Sequence, residues 1–178
     1  MSVMHPELKV IWTEKWLENV AGALRKTRRE IVFTNGCFDM LHAGHLDILW
    51  QARALGQTLI VGMNSDESVR QLKGEKRPII PEEQRAYLLG GLECVDYVYV
   101  FKELTANRAI DIIRPNIYAK AGFLRTDQIP ETITAQKHGK VMLLGTVKTE
   151  EMKTRIEQMV KQVKGVKAVD NQISVIAE

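Results

Sequence analysis

The sequence predicts an α/β protein in which helices cover both faces of an open, parallel, five-stranded sheet. Three observations predict it. Short β-branched and aromatic runs alternate with helical periods along the chain, the order that βαβ units impose. One run, Thr58-Leu59-Ile60-Val61-Gly62-Met63, is almost continuously apolar, as a strand buried on both faces of a parallel sheet must be. The earliest run, Ile31-Val32-Phe33, breaks at Asn35-Gly36 and then resumes as a helical pattern. Open α/β sheets bind their ligands at such strand-to-helix turns, outside the carboxyl ends of the strands.

The elements follow in order. Trp12, Trp16, Leu17, Val20, Ala23 and Leu24 recur with a helical period up to Lys26, and Thr13 supplies an N-cap. After Ile31–Phe33 a helix runs from His45 to Leu55, with Gly56 just past its end. Thr58–Met63 is the second strand. Pro81 opens a helix reaching Glu93, Tyr97–Phe101 is a strand, and Thr105 caps a helix that stops before Pro115. Ile117–Ala119 and Lys140–Leu144 are strands on either side of a helix over Thr132–Lys137, and Thr149–Lys164 is a long amphipathic helix. The division expected is a helical appendage at 1–29, a core domain at 30–164 and an extension at 165–178. In the extension, Val166, Val169, Ile173 and Val175-Ile176 around Asp170-Asn171 read either as an edge strand pair or as a hairpin.

Composition narrows the functional classes. A hydrophobic fraction of 45% and a charged fraction of 26% match an ordinary globular domain and exclude disordered and fibrous classes. The net charge of +3 is spread out, and the one dense basic cluster, Arg25 to Arg29, falls where cations complement a helix C-terminus. Nucleic acid is therefore not an expected partner. No apolar run approaches the roughly 20 residues of a bilayer span, and the N-terminus lacks a leader's basic-then-apolar layout, so a cytoplasmic protein without membrane contact is expected. Cys37 and Cys94 have no CxxC spacing and read as reduced, buried thiols.

The chemistry concentrates in His42-Ala43-Gly44-His45. Two imidazoles three residues apart at a helix start face the same side as the unpaired N–H groups of its first turn, a setting made for anions. Gly44 allows a phosphate to approach the backbone. The histidines lack the i, i+4 spacing of the helical zinc motif, so no metal ligation is expected. Neither a GxxxxGK[ST] phosphate loop nor a GxGxxG turn is present.

Asn35-Gly36-Cys37-Phe38-Asp39 followed by His42-Ala43-Gly44-His45 resembles the signature of the cytidylyltransferase-like nucleotidyltransferases. Within them it is most similar to the heptose-1-phosphate adenylyltransferases of ADP-heptose synthesis. The likeness runs from Thr13 to Val160, through Gly62–Val69, Leu72-Lys73-Gly74, Arg77-Pro78, Pro81–Arg85 and Leu92–Asp96. It implies a Rossmann-like HxGH fold in which a substrate phosphate attacks the α-phosphorus of an NTP and pyrophosphate leaves. By the same resemblance, His42 and His45 stabilise the pentacoordinate transition state and Lys73 brings a mobile ammonium to the phosphates. Cys37, Phe38, Gly44, Lys120 and Thr149 are implied nucleotide contacts; Arg85 by the same resemblance supports either the phosphates or the loop network, and from its place in the helix after Pro81 it reads equally as an exposed arginine. Asp39 either orients the substrate or caps the following turn. Mg²⁺ is expected with the NTP. A homodimer is also expected, with the stripe of Trp12, Trp16 and Val20 as its apolar face.

The implied reaction is nucleotidyl transfer, ATP favoured, to a sugar 1-phosphate such as heptose 1-phosphate. Two alternatives stay open: a CTP-dependent enzyme for glycerol 3-phosphate or a similar polyol phosphate, and a degenerate nucleotide-binding protein. Two segments keep them open. Lys120-Ala121-Gly122-Phe123-Leu124 stands where the heptose enzymes have Lys-Gly-Gly-Asp-Tyr, and Thr146–Glu151 keeps only Thr149 of a Ser-Thr-Thr helix start. Glu150 and Glu151 stabilise a first helical turn but repel a triphosphate laid against it.

Overall fold

The computed structural model describes residues 4–121, 130–162 and 170–176. The chain is α/β as expected, with a parallel sheet flanked by helices, but that sheet has seven strands rather than five. After a single 3₁₀ turn at Pro6–Lys9, the elements are β1 (Val10–Ile11), α1 (Glu14–Lys26), β2 (Ile31–Gly36) and α2 (Ala43–Ala54). They continue with β3 (Thr58–Asn64), α3 (Asp66–Lys73), α4 (Glu82–Gly91), β4 (Tyr97–Phe101), α5 (Asn107–Ile113) and β5 (Ile117–Ala121). The last are α6 (Thr132–Gln136), β6 (Lys140–Leu144), β7 (Thr146–Val147), α7 (Glu150–Lys161), β8 (Asp170–Asn171) and β9 (Ser174–Val175). The Gly122–Leu124 departure, Val166, Val169 and the expected last turn of α7 lie outside the described residues.

The two additional strands are β1 and β8, each two residues long, too short for a period-2 pattern to register. The strand order is β1-β4-β3-β2-β5-β6-β8, with every pair parallel. The sheet therefore grows in one direction through β3, β4 and β1 and in the other through β5, β6 and β8. Its switch point lies between β2 and β5, where the carboxyl ends of neighbouring strands open a crevice.

Alternation along the strands divides the core into two layers. Ile31 and Phe33 of β2 face a cluster with Leu17 and Leu24 of α1 and Ile110 and Ile113 of α5. Val32 faces the opposite cluster, with Leu49 and Ala52 of α2 and Leu89 of α4. Gly62 is required in β3, because a Cβ there would lie 2.7 Å from Phe33 Cζ.

Thr13 does cap α1, accepting from Trp16 N at 3.2 Å. At the other end of α1, Arg25 donates to the carbonyls of Ile112 and Ile113 at 3.1 and 2.7 Å, closing the C-terminus of α5. This gives one member of the basic cluster a packing role. Helix α3 is not among the elements that the sequence pattern predicts, and Lys73 is its last residue. Eight residues long and with only Ser68 and Val69 buried, α3 has little apolar surface to announce it, and it is held by Ser65, which accepts from Ser68 N at 3.2 Å. The tail residues pair not with each other but with earlier strands: β8 lies along β6 and β9 along β7.

Candidate active site

The β2–α2 turn opens at the switch point. Phe38, at φ +49°, turns the chain out of β2, and its ring covers Gly36 so closely that a Cβ there would meet it at 3.2 Å. His42 is the N-cap of α2, and its Nδ1 accepts from Gly44 N at 3.1 Å. That bond assigns the neutral ring its tautomer: Nδ1 accepts, so the proton sits on Nε2, the atom left to reach a ligand. It also engages the Gly44 N–H, which the sequence pattern left free for phosphate. A side chain on Gly44 would press against His42 Cε1 at 3.0 Å, so glycine here preserves the cap as well as access.

The His42 and His45 rings stand 4.0 Å apart, centroid to centroid, tilted by 37°, with Phe38 5.4 Å behind His45. Burial, then the charges of His42 and Lys73, hold the His45 imidazole below its ordinary pKa. The neutral form of the His45 ring is thereby favoured. Lys73 occupies the exposed last turn of α3, and its charge reaches both His45 and Cys37. Burial pushes the Cys37 thiol up against Lys73, Arg85 and Lys120, and its Sγ lies 3.9 Å from Asn64 Oδ1.

Arg85 and Asp39 sit under the turn rather than on its open side. The fully buried Arg85 donates from Nε to Ile80 O (2.8 Å), from Nη1 to Cys37 O (2.5 Å) and Asn64 O (3.0 Å), and from Nη2 to Asp66 Oδ1 (2.5 Å). Four of a guanidinium's five donors are thereby engaged. One side chain ties the ends of β2 and β3, the start of α3 and the approach to α4 together; this is the loop-network use, and with 1% of its surface exposed Arg85 is not the exposed helix arginine that its position also suggested. Asp39, 5% exposed, accepts from Arg77 Nη1 (2.5 Å), Ile79 N (2.6 Å) and Ile80 N (3.3 Å). It clamps the segment after α3 instead of presenting a free carboxylate.

Burial alone would raise the Asp39 carboxyl, but the Arg77 bond and the two amides outweigh it and hold it below its ordinary value of 3.8. A depressed folded value means the clamp stabilises fully above the unfolded pKa and is lost as pH falls through the folded one. Asp39→Asn is expected to cost about 1–3 kcal/mol at pH 7. It should also flatten the acid side of the stability profile below pH 4, as read by urea denaturation at several pH values. An identical pH profile for both proteins would refute the clamp.

Lys120, next to last in β5, lies across the crevice, 6% exposed, with Nζ donating to Asn35 O at 3.2 Å. Sequence reasoning missed the residues beneath it. Tyr118 Oη donates to Asn35 Oδ1 at 2.7 Å, and Asn35 Nδ2 reaches Glu131 Oε1 at 3.4 Å. The same oxygen accepts from Ala106 N at 3.1 Å, so the start of α5 is satisfied by a distant carboxylate rather than by Thr105. Only Asn35 carried a signal, as the opening residue of the motif. Thr149 caps α7, accepting from Met152 N at 3.2 Å. A link between β6 and α2 comes from Gly145, whose N–H donates to Gln51 Oε1 at 3.1 Å.

A family model described as Cytidylyltransferase-like matches residues 33–176, which take in this whole constellation. The chain belongs to the cytidylyltransferase-like family. It is accordingly a nucleotidyltransferase, and the resemblance read from Asn35 to His45 holds. Among curated relatives of this cytidylyltransferase-like chain, the Bifunctional protein HldE of Pelobacter propionicus is 45% identical over 139 residues, 75% of this chain and 28% of the relative. The protein of the same name from Helicobacter pylori strain G27 is 51% identical over 126 residues, 70% of this chain and 26% of the relative. The one from Geobacter sulfurreducens is 40% identical over 146 residues, 82% and 30%. The chain therefore spans less than a third of the length of these relatives.

Among solved structures, the lipopolysaccharide core biosynthesis protein of Thermoplasma volcanium aligns with a TM-score of 0.51 at 21% identity, covering 84% of this chain and 98% of that one. A pantoate-beta-alanine ligase from Francisella tularensis, complexed with Beta-gamma ATP and beta-alanine, aligns at 0.56 and 14% identity, covering 79% and 68%. At these identities the likeness is one of fold. No helix among the described residues is long and apolar enough to cross a membrane.

Proposed function

We propose that this nucleotidyltransferase moves an adenylyl group from ATP to a sugar 1-phosphate, with heptose 1-phosphate the leading acceptor. The observation that carries the reading is the pair of imidazoles 4.0 Å apart on the cap of α2, at the carboxyl end of β2 beside the switch point. An acceptor phosphate oxygen attacks the α-phosphorus; the new P–O bond forms as the bond to the β-phosphate oxygen breaks, and pyrophosphate carries off the electron pair. Negative charge grows on the non-bridging oxygens, where the Nε2–H of His42 and the ring of His45 stabilise it. Lys73 and Lys120 neutralise phosphate charge from opposite sides of the crevice. Arg85 and Asp39 hold the turn and the segment beyond α3 in place.

Mg²⁺ is proposed to accompany the triphosphate, whose oxygens and water would hold it, the usual mode for this ion. Among the described residues no three His, Cys, Asp or Glu side chains form a cage, and Asp39 is engaged by Arg77 and two amides. When bound, the ion supplies charge neutralisation of the departing pyrophosphate.

The test is pyrophosphate release with ATP or CTP against a panel of sugar 1-phosphates and glycerol 3-phosphate. Release with ATP and a sugar 1-phosphate is expected. Turnover only with CTP and the polyol phosphate would replace this reading with the cytidylyl alternative.

A second reading, nucleotide binding without turnover, draws on the first turn of α7. Glu150 and Glu151 are exposed there, and Thr149 is occupied as the cap. If a triphosphate lies against this helix, each carboxylate weakens binding by about 0.3–1 kcal/mol. Glu150→Gln/Glu151→Gln should then tighten ATP binding, less so at high salt, where exposed charges are screened. Calorimetric titration at two salt concentrations reads this out. Equal affinities would place the triphosphate away from α7.

The homodimer is proposed on Trp12 and Trp16, which remain 46% and 39% exposed. Sedimentation at micromolar concentration should give twice the mass of one chain; a single-chain mass refutes it.

A further inference from the structure

Beneath the crevice Lys120 stands among three polar side chains that the transfer reaction does not use: the buried Glu131 and Tyr118 and the half-buried Asn35. Glu131 is 3% exposed and comes from the residue preceding α6. Its Oε1 takes the Asn35 amide and the Ala106 N–H, while its Oε2 is buried without a hydrogen-bond partner. A carboxylate in such a place is stabilised only if positive charge faces it. The cation whose charge acts on it is Lys120, itself buried and joined to it through Asn35, whose carbonyl accepts from Nζ at 3.2 Å while Nζ lies 5.7 Å from the centroid of the Tyr118 ring. Asn35 is the joint of the cluster. Its side chain links Tyr118 to Glu131, its carbonyl seats the ammonium, and the next residues of the chain are Gly36 and Cys37 of the active-site turn.

We propose that Glu131 is a positioning residue for nucleotidyl transfer: it is the countercharge of Lys120 and, through Asn35, fixes where that ammonium meets the nucleotide. The inference rests on the reading of Lys120 as a phosphate contact. An ammonium has three donors, and Asn35 O occupies one, so the others face the crevice or the cluster. Removing the carboxylate withdraws the charge that opposes desolvation of Lys120 and loosens the joint below the turn.

The groups that face Lys120 are Glu131 from the approach to α6, Tyr118 from β5 and Cys37 from the β2–α2 turn; Lys73 and Arg85 act on Cys37 from its other side. Burial pushes the Lys120 ammonium below the ordinary lysine value, and Glu131, followed by Cys37, works against that. Burial, followed by Glu131, drives the Tyr118 hydroxyl well above 10, so Tyr118 does not titrate in the same range.

The experiment is kcat/KM for ATP, by pyrophosphate release, from pH 6 to 10 in the parent, Glu131→Gln, Glu131→Asp and Lys120→Arg proteins. The basic limb of the parent should vanish in Lys120→Arg, because a guanidinium does not titrate there. In Glu131→Gln the limb should move to lower pH by roughly half a unit or more, and KM for ATP at pH 8 should rise by roughly fivefold. Glu131→Asp, with its carboxylate drawn back by one methylene, should fall between the two, and it carries the test alone if Glu131→Gln does not fold. A limb that stays in place in the glutamate variants but disappears in Lys120→Arg overturns the role of Glu131 and leaves Lys120 standing. A limb and KM unchanged in Lys120→Arg and in a Lys120→Ala control would overturn the reading of Lys120 itself.

Discussion

His45→Ala is expected to lower kcat for nucleotidyl transfer by about 10²-fold or more, the loss seen when one preformed stabiliser of transition-state charge is removed. KM for ATP should change far less. The ring is held against Phe38 at 5.4 Å and His42 at 4.0 Å, so it is oriented before any ligand arrives. Burial keeps it neutral near pH 7, which lets it serve as a directed dipole rather than a phosphate-binding cation. Interactions of that kind act where charge develops, so their loss falls on kcat and kcat/KM together. The fold should survive, because His45 is only half-buried and its backbone N–H bonds to His42 O at 2.9 Å whatever the side chain. Steady-state kinetics beside a circular-dichroism melt would decide it. An unchanged kcat would remove His45 from the chemistry.

Arg85→Met should be the more damaging change to the fold, costing about 3–5 kcal/mol. Methionine fills much of the space, so the loss isolates the polar contacts. Cys37 O, Asn64 O and Ile80 O would lose their donor, and the Asp66 carboxylate its cation, at the point where β2, β3, α3 and α4 converge. Each buried acceptor left alone costs about 1–3 kcal/mol. For a chain of this size the expected fall in Tm is roughly 6–20 °C. Arg85→Lys should rescue little, because an ammonium cannot span four acceptors in the plane of a guanidinium. A fall under about 3 °C would show that the hub is not a source of stability.

The turn from Asn35 to His45 was legible in the sequence because its signal is local: a β-branched strand, a Gly-containing break and a capped helix follow one another within a few residues. The same holds for α1, α2, α4 and the strands β2 to β6. Elements with little to bury were not legible, as α3 shows with Ser68 and Val69 alone inside. Direction was another blind spot. Asp39 and Arg85 were both candidates for the ligand side, and the structure turns them inward to the segments around α3, a choice that residue type does not encode. Glu131 was invisible for a different reason: its partner Asn35 is 96 residues away, and only the adjacency of β2 and β5 brings the two together.

The strands that bound the seven-stranded sheet bear on how this protein behaves when crowded. Long exposed edges invite other chains to add strands and seed aggregates. Here the edges are Val10–Ile11 on one side and Asp170–Asn171 on the other. The first is followed within three residues by a helix, and the second carries a carboxylate and an amide. Among the described residues, each edge strand offers an intruding strand only two residues to pair with, a short template for strand addition.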